Sequence, residues 1–358
     1  MSAAANDTLV LVTGASGYLA SHVVLQLLQK GYRVRGTVRS LKSEKKVKPL
    51  RELAENSEHS LELVEADLME KECWTKAVEG CTYVCHIASP FPNRVPKNEM
   101  EIITPAVEGT KTVLAACAKS GTVKRVILTS SIVAVGNEAI PKKDSNFTEE
   151  DWLDPNTAMP YPKSKVLAEK AAWEFHKNLP DSEKFELVTM NPGYIQGPIL
   201  RGTNCTSLEA ISKMLERKMP RLPDICLSIV DVRDVAAAHI AGMTSPKAPG
   251  NRYILVSKCC RMLDVAAMLS EEFKSQGYNV PTKRAPRFLV RLASITDPSV
   301  KLILPQIGVA AVFSNDKARE ELGITFRSVD ETMKEMAYSV IDRGFVKKTS
   351  KYRGPPSN

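Results

Sequence analysis

Residues 8–31 read TLVLVTGASGYLASHVVLQLLQKG, and this segment shows the pattern that the rest of the N-terminal half repeats. Residues 8–13 are mostly apolar and β-branched, as in a buried strand, and apolar side chains recur at helical spacing from Gly17 to Gly31. Gly14 and Gly17 lie at the junction. Because glycine permits a tight turn and close approach to the backbone, we predict a strand, a turn and a helix.

The same alternation continues through the N-terminal half of the chain. We predict further strands at residues 33–38, 61–65, 83–87, 125–129 and 185–191. Helical patterns separate them, one ending near residue 55 and others covering residues 71–78, 104–119 and 161–178. Strands that alternate with helices predict an α/β fold with a Rossmann-type, doubly wound parallel sheet.

The pattern loosens after residue 191, where prolines and short helices interrupt it. Residues 228–230 and 252–256 still resemble strands, and we expect both to return to the main body. We therefore predict a first domain over residues 1–191 and a smaller, mostly helical lobe over residues 192–358, which would bind a substrate.

The composition is that of an ordinary globular protein, with 43% hydrophobic and 25% charged residues. A net charge of +8 allows a nucleic acid, an anionic membrane or a phosphorylated ligand, but we see neither arginine–aromatic interleaving nor a run of 18 apolar residues. Eight cysteines without a metal-binding motif predict reduced thiols and no metal site. We expect a cytoplasmic monomer or homodimer with no nucleic-acid or membrane partner.

The glycine turn has the spacing Gly-x-x-Gly-x-x-Ala over Gly14, Gly17 and Ala20. At a junction between strand and helix, such a turn lets a pyrophosphate approach the backbone, where the helix dipole stabilises its charge. The strand and helix on either side favour dinucleotide binding over a plain chain reversal. In this turn, Ser16, Tyr18 and Leu19 are also predicted to contact the dinucleotide.

The end of the second predicted strand indicates which dinucleotide is bound. An acidic side chain there would hold the ribose 2′-hydroxyl of NAD, but the sequence has Arg39, followed by Lys46. These cations suit the 2′-phosphate of NADP, and the alternative is a solvated basic loop. After the third predicted strand, Asp67 and Leu68 are positioned to contact adenine, unless Asp67 caps the next helix. We predict NADP(H) as the cofactor.

Tyr161 and Lys165 are four residues apart at the start of a predicted helix and therefore share one face. Because a nearby cation favours the phenolate, we expect Lys165 to lower the tyrosine pKa from about 10 toward neutrality, making Tyr161 a proton donor to a carbonyl oxygen. Ser131, after the fifth predicted strand, can donate a second hydrogen bond to the developing alkoxide. Since this spacing arises about once by chance here, its weight comes from its position in the chain, and the alternative is a surface pair.

Together these motifs resemble those of the extended short-chain dehydrogenase/reductases. The chain is most similar to the branch of dihydroflavonol reductases, cinnamoyl-CoA reductases and yeast-type methylglyoxal and ketone reductases. The matching motifs, in order, are TGASGYLAS, TVRS with KKV, EADL, VCHIASPF, LTSSIVAV, YPKSKVLAEKAAWEF, MNPGYIQGP and VDVRDVAAAHI. They cover nearly the whole chain.

The resemblance implies an NADPH-dependent reductase that delivers hydride from nicotinamide C4 to a carbonyl carbon. Its catalytic triad would be Ser131, Tyr161 and Lys165, and the last two would also contact the cofactor. The further cofactor contacts that the resemblance implies are Ala88, Ser89, Pro192, Ile195 and Ser207.

Two departures from the relatives' motifs bear on the substrate. The residues around the tyrosine, AMPYPKSK, differ from the KNWYCYGK of cinnamoyl-CoA reductases, and Gly136 replaces a substrate-binding asparagine of dihydroflavonol reductases. We therefore expect a general aldehyde or ketone reductase, with Phe91, Met159 and Tyr194 as candidate pocket walls. Two alternatives stay open: an NAD-dependent epimerase or hydroxysteroid dehydrogenase/isomerase with the same triad, and a non-catalytic NADP-sensing protein.

Overall fold

Seven parallel strands form the central sheet of the structure, a computed structural model that describes residues 7–89, 98–200, 207–296 and 298–356. The described strands are β1 (Leu9–Val12), β2 (Arg33–Val38), β3 (Glu62–Glu65), β4 (Tyr83–His86), β5 (Arg125–Thr129), β6 (Glu186–Pro192), β7 (Tyr194–Gln196), β8 (Cys226–Asp231), β9 (Arg252–Leu255) and β10 (Lys258–Arg261). Their order across the central sheet is β3-β2-β1-β4-β5-β6-β9. The predicted Rossmann-type, doubly wound sheet is thereby confirmed.

Helices cover both faces of this sheet. They are α1 (Tyr18–Gln29), α2 (Glu44–Glu52), α3 (Lys71–Val78), α4 (Met100–Ser120), α5 (Pro160–Lys177), α6 (Ser207–Leu215), α7 (Val232–Thr244), α8 (Met262–Phe273), α9 (Arg287–Thr296), α10 (Pro298–Ile303), α11 (Asp316–Leu322) and α12 (Val329–Asp342). Along β1, Val10 and Val12 pack into the core under α1 and α7, whereas Leu9 and Leu11 pack into the core under α3, α4 and α5. The two cores follow from the alternation of side chains along a strand that is buried on both faces.

The strand order reverses between β1 and β4. Val12 of β1 pairs with Gly36 of β2 on one side and with Cys85 of β4 on the other, and both pairs are parallel. Since every strand of this sheet runs in one direction, the loops after all seven strands meet at its carboxyl edge. In such folds the ligand binds outside that edge, at the point where the order reverses.

A second, three-stranded sheet has the order β10-β8-β7. The expectation that residues 228–230 and 252–256 both return to the main body is half right: β9 joins the central sheet, but β8, which includes residues 228–230, does not. Both edges of β8 are already paired, with β7 on one side and β10 on the other. The C-terminal part is mostly helical, as predicted, and the domain boundary at residue 191 stays a prediction.

Two chemical features of the described residues bear on the sequence analysis. Cysteines are free thiols at the seven described positions, and the eighth, Cys205, lies outside the described ranges. Among the described helices, none is long and apolar enough to cross a membrane.

Candidate active site

The glycine turn after β1 fits tightly against the loop that follows β4. Gly14 has a φ of +66°, and a Cβ added there would lie 3.1 Å from the Cβ of Ala88. Its backbone N–H donates to Thr37 Oγ1 at 2.8 Å, and the N–H of Gly17 donates back to the Gly14 carbonyl at 2.8 Å. Glycine is therefore needed at position 14 both for the backbone conformation and for the approach of Ala88.

The first turn of α1 can accept an anion. No side chain of the described residues caps this helix end, and the first turn contains no acidic residue. The side chains of Tyr18, Leu19 and Ala20 are buried, and the Tyr18 hydroxyl donates to the Gly197 carbonyl at 2.7 Å. These residues can therefore offer only their backbone N–H groups, which is the arrangement that a pyrophosphate requires.

Thr13 fixes the loop after β4, and the sequence analysis missed it. Its Oγ1 accepts from the N–H groups of Ile87 and Ala88, both at 2.9 Å, and lies 2.9 Å from Nδ1 of His86. Since the hydroxyl already accepts twice, its proton is donated to the imidazole. Burial lowers the pKa of His86 to about 3, so the ring is neutral and can accept it.

The two cations predicted to bind the 2′-phosphate are exposed to solvent at the carboxyl edge of the sheet. Arg39 directly follows β2, Lys46 lies in the first turn of α2, and both are exposed. Neither has an acidic partner among the described residues, so both charges are available to a phosphate. Contact with a 2′-phosphate stays a prediction.

Asp67 and Leu68 follow β3 at the same edge. The Asp67 carboxylate accepts from the N–H of Met69 at 2.9 Å, whereas the residue before α3 is Glu70. The alternative in which Asp67 caps the next helix is therefore wrong, because the chain makes a turn between them. Leu68 packs against Gly109 of α4, where an added Cβ would lie 3.1 Å from the Cβ of Leu68.

Lys165 connects helix α5 to the loop after β4. Its Nζ donates to Ser89 Oγ at 3.0 Å and lies 6.0 Å from the centroid of the Tyr161 ring. Together with Ala88 and Ser89, Lys165 lines a small cavity. Since Ala88 abuts Gly14, the lysine stands next to the glycine turn, and three of the predicted segments meet here.

The pKa shifts at this pair correct the sequence-based expectation. Burial raises the pKa of Tyr161 to about 12, and burial lowers the pKa of Lys165 to about 8. The expectation that Lys165 lowers the tyrosine pKa toward neutrality is therefore wrong in this structure, because the loss of solvent outweighs a cation 6.0 Å from the ring. Tyr161 holds its proton at neutral pH.

Ser131 comes two residues after β5 and is half-buried. Its Oγ accepts from the N–H of Val133 at 3.3 Å and so starts a short helical turn, and its carbonyl accepts from Asn191 Nδ2 at 3.1 Å. These bonds fix the serine at the carboxyl edge. Its hydroxyl proton has no acceptor among the described residues and can be donated to a ligand, since Oγ only accepts in the Val133 bond.

Most of the other residues predicted to contact cofactor or substrate lie on β6, β7 and α6 or just before α5. Pro192 ends β6, Tyr194 and Ile195 lie half-buried in β7, and Met159 precedes α5 with 42% exposure. Ser207 begins α6, and Phe91 lies outside the described residues. The roles of all these residues stay predictions.

Gly136 is enclosed by an aromatic ring. A Cβ added there would lie 2.4 Å from Cε1 of Phe147, which stacks on Phe313 with 4.9 Å between ring centroids. An asparagine at position 136 therefore cannot be accommodated unless Phe147 moves. Gly136 is therefore required by the packing of the Phe147 ring, a contact that the sequence alone did not indicate.

Comparison with known proteins agrees with this geometry. The model of the 3-beta hydroxysteroid dehydrogenase/isomerase family matches residues 11–279. A cinnamoyl-CoA reductase of Medicago truncatula is 34% identical, covering 96% of this chain and 99% of that protein. The NADPH-dependent methylglyoxal reductase of Saccharomyces cerevisiae is 32% identical, covering 93% and 98%.

Comparison with solved structures identifies the same kind of relative. The crystal structure of yeast methylglyoxal/isovaleraldehyde reductase complexed with NADPH matches with a TM-score of 0.77 at 30% identity, covering 94% of this chain and 98% of that one. Both the family match and these relatives span most of the chain. The chain therefore belongs to the 3-beta hydroxysteroid dehydrogenase/isomerase family, within the extended short-chain dehydrogenase/reductases.

Proposed function

We propose that this protein is an NADPH-dependent reductase that converts aldehydes or ketones to alcohols, with Tyr161 as the proton donor. The observation that carries the proposal is the position of Lys165. Its ammonium is bonded to Ser89, faces Tyr161 one helical turn away and lines a cavity with Ala88, which abuts the glycine turn. The proton donor and the nucleotide site are thus neighbours.

The cofactor proposal rests on the fit of the residues to NADPH. The open first turn of α1 and the glycine turn suit the pyrophosphate. Arg39 and Lys46, which pair with no acidic group among the described residues, suit the 2′-phosphate. The yeast relatives named above are NADPH-dependent or complexed with NADPH, which supports the same choice. When bound, NADPH supplies the hydride that adds to the carbonyl carbon.

The protein's own residues handle the proton. With its pKa raised to about 12, Tyr161 is protonated at neutral pH and can donate to the oxygen on which negative charge develops. Lys165, with a pKa of about 8, is mostly charged at pH 7 and favours the phenolate that remains. Ser131 donates a second hydrogen bond to the same oxygen, which stabilises its charge.

The substrate proposal is a small aldehyde or ketone. Phe147 fills the space that a side chain at position 136 would need, so the asparagine of dihydroflavonol reductases has no counterpart here. Met159 and Tyr194 are proposed as pocket walls. Residues 192–358 are proposed as the substrate-binding lobe, and a cytoplasmic monomer or homodimer is proposed from the sequence.

A substrate screen tests the function. Purified protein is mixed with NADPH or NADH and with methylglyoxal, isovaleraldehyde, an aryl ketone or cinnamoyl-CoA, and loss of reduced cofactor is followed. We expect oxidation of NADPH by at least one aldehyde or ketone and much slower reaction with NADH. Reaction with cinnamoyl-CoA alone would contradict the substrate proposal. Tightly held NAD that survives purification would instead favour the epimerase or hydroxysteroid dehydrogenase alternative.

A further inference from the structure

A buried carboxylate lies one helical turn beyond Lys165 on α5. Glu169 is 1% exposed, and its two oxygens accept four hydrogen bonds. Oε1 accepts from Arg252 Nε at 2.7 Å and from Thr189 Oγ1 at 3.1 Å. Oε2 accepts from Asn191 Nδ2 at 2.8 Å and from the hydroxyl of Ser130. Every lone pair of the carboxylate is therefore occupied, as burial of a charge requires.

These bonds join α5 to three strands of the central sheet. Ser130 follows β5, Asn191 lies near the end of β6 and Arg252 begins β9. The same Asn191 Nδ2 that donates to Glu169 also donates to the carbonyl of Ser131 at 3.1 Å. The position of the Ser131 backbone thus depends on Glu169 through one intermediate side chain.

Glu169 and Lys165 line the same cavity, which has a volume of about 20 Å³. Its polar lining residues are Ser89, Thr110, Thr129, Ser130, Lys165 and Glu169. A polar cavity of this volume has room for about one water molecule. Glu169 and Lys165 both lie among the described residues and form no direct ion pair. Their electrostatic interaction therefore acts through this small polar cavity.

The charges around Lys165 leave Glu169 as its counter-ion. Burial lowers the pKa of Lys165, and the negative charge of Glu169 opposes that change. Tyr161 and His86 also face the lysine, but the first is protonated and the second is neutral because burial lowers its pKa to about 3. Arg252 contacts Glu169 on the side formed by β9.

Packing alone does not account for this network. A buried ion pair often contributes nothing to stability compared with apolar residues of the same volume. Moreover, Nη2 of Arg252 is buried and makes no hydrogen bond to any described residue, which is a further cost. The guanidinium is nevertheless held firmly, by the carbonyls of Glu149 and Asp151 at 2.6 and 2.7 Å and by the Trp152 ring 3.6 Å below it.

We propose that Glu169 is a positioning residue for the reductase reaction: it keeps the Lys165 ammonium charged and fixes the Ser131 backbone, while Arg252 holds its carboxylate in place. This inference rests on the proposed function. It assigns Glu169 no contact with substrate or cofactor, only an effect exerted through the lysine and the serine.

Three variants separate this role from a structural one. Glu169→Gln removes the charge and leaves Arg252 buried without its counter-ion, so its Tm should fall. Glu169→Gln with Arg252→Met removes both charges and should recover much of the Tm. Asp234→Asn is the matched control, because Asp234 is also a buried carboxylate (2% exposed) paired with an arginine, Arg327, but on helix α7.

The decisive readout is the ionisation of Lys165 itself. Competitive acetylation of the cofactor-free protein, read by peptide mass spectrometry across pH, should give a midpoint near pH 8 for the wild type. In both Glu169 variants, including the one with recovered Tm, we expect this midpoint and the alkaline limb of kcat to move down by about half a pH unit or more. Asp234→Asn should leave both unchanged.

Two results would overturn the proposal. One is a Glu169→Gln protein with a lowered Tm but a wild-type Lys165 midpoint, and the other is a double variant in which Tm and midpoint recover together. Failure of the proposed function looks different. In that case the wild type reduces no carbonyl compound with NADPH, while the acetylation midpoint still reports on Glu169 and Lys165.

Discussion

The Nζ atom of Lys165 lies 3.0 Å from the Oγ atom of Ser89, and this contact joins helix α5 to the loop after β4. The loop is held from its other side by Thr13, whose hydroxyl accepts from the backbone of Ala88. The lysine is therefore fixed relative to the point where the strand order reverses. In a doubly wound fold, that is the point at which a ligand binds.

Replacing Lys165 with Met should lower kcat with NADPH by about 100-fold or more, because the charge that favours the phenolate is lost. Lys163→Met is the control, since Lys163 is two residues away and pairs with Glu99 at 2.9 Å. Steady-state kinetics on both variants provide the test. Equal losses in the two variants would mean that helix α5 was disturbed generally.

Arg39→Ala should weaken NADPH binding by about 10- to 100-fold, since a hydrogen bond to a charged group is lost. NADH lacks the 2′-phosphate, so its affinity should not change. Titration calorimetry with both cofactors measures the difference. Arg33→Ala is the control because Arg33 begins β2 at the opposite edge of the sheet. Equal loss of NADPH and NADH binding in Arg39→Ala would remove Arg39 from the phosphate site.

Gly136→Ala should lower the free energy of unfolding by about 1–3 kcal/mol, because the new Cβ would overlap the Phe147 ring. Adding Phe147→Leu should relieve the overlap, so the double variant should lose less than the sum of the two single losses. Urea unfolding of the four proteins completes this cycle. Strictly additive losses would show that the two residues do not compete for space.

Three buried histidines should make the fold sensitive to acid. Burial lowers the pKa of His86 to about 3 and those of His22 and His239 to about 4. Because each folded pKa lies below the unfolded value of 6.5, the stabilisation is complete above pH 6.5. It is lost as the pH falls toward about 4 for His22 and His239 and toward about 3 for His86. Each histidine contributes a slope of up to about 1.4 kcal/mol per pH unit.

The free energy of unfolding between about pH 6 and pH 5 measures that slope. His239→Gln should reduce it by up to about 1.4 kcal/mol per pH unit, since one protonation of the unfolded chain is removed. His239 is suited to this test because it bonds to Thr129 and to the Val235 carbonyl and is not one of the residues proposed to contact substrate or cofactor. A slope identical to that of the wild type would contradict the assignment.

Much of the fold follows from local sequence patterns. The strands Arg33–Val38 and Arg125–Thr129 and the helix Lys71–Val78 have the predicted bounds because apolar runs and turn residues delimit them. Helix α4 begins at Met100, four residues before the predicted start, although it contains Pro105 in its second turn. Proline is most frequent at the first position of a helix, whereas Pro105 lies five residues after the observed start.

The site was predictable where it depends on motifs and unpredictable where it depends on tertiary contacts. Tyr161 and Lys165 lie on one helix, so their spacing revealed them, and the same spacing of four from Lys165 could have suggested Glu169. Arg252, however, reaches Glu169 from 83 positions along the chain. The pKa of Tyr161 is raised, whereas the motif predicted that it would be lowered, because burial is a property of the folded chain and not of the motif.

The central claim is that the Tyr161 phenol donates the proton during carbonyl reduction, and a single-turnover experiment on Tyr161→Phe tests it most directly. The variant is preloaded with NADPH and mixed with whichever carbonyl substrate the wild type reduces. We predict that the variant still binds NADPH and that its hydride-transfer rate is lower by about 100- to 10,000-fold. A Tyr161→Phe protein that binds NADPH and turns over at the wild-type rate would contradict the account.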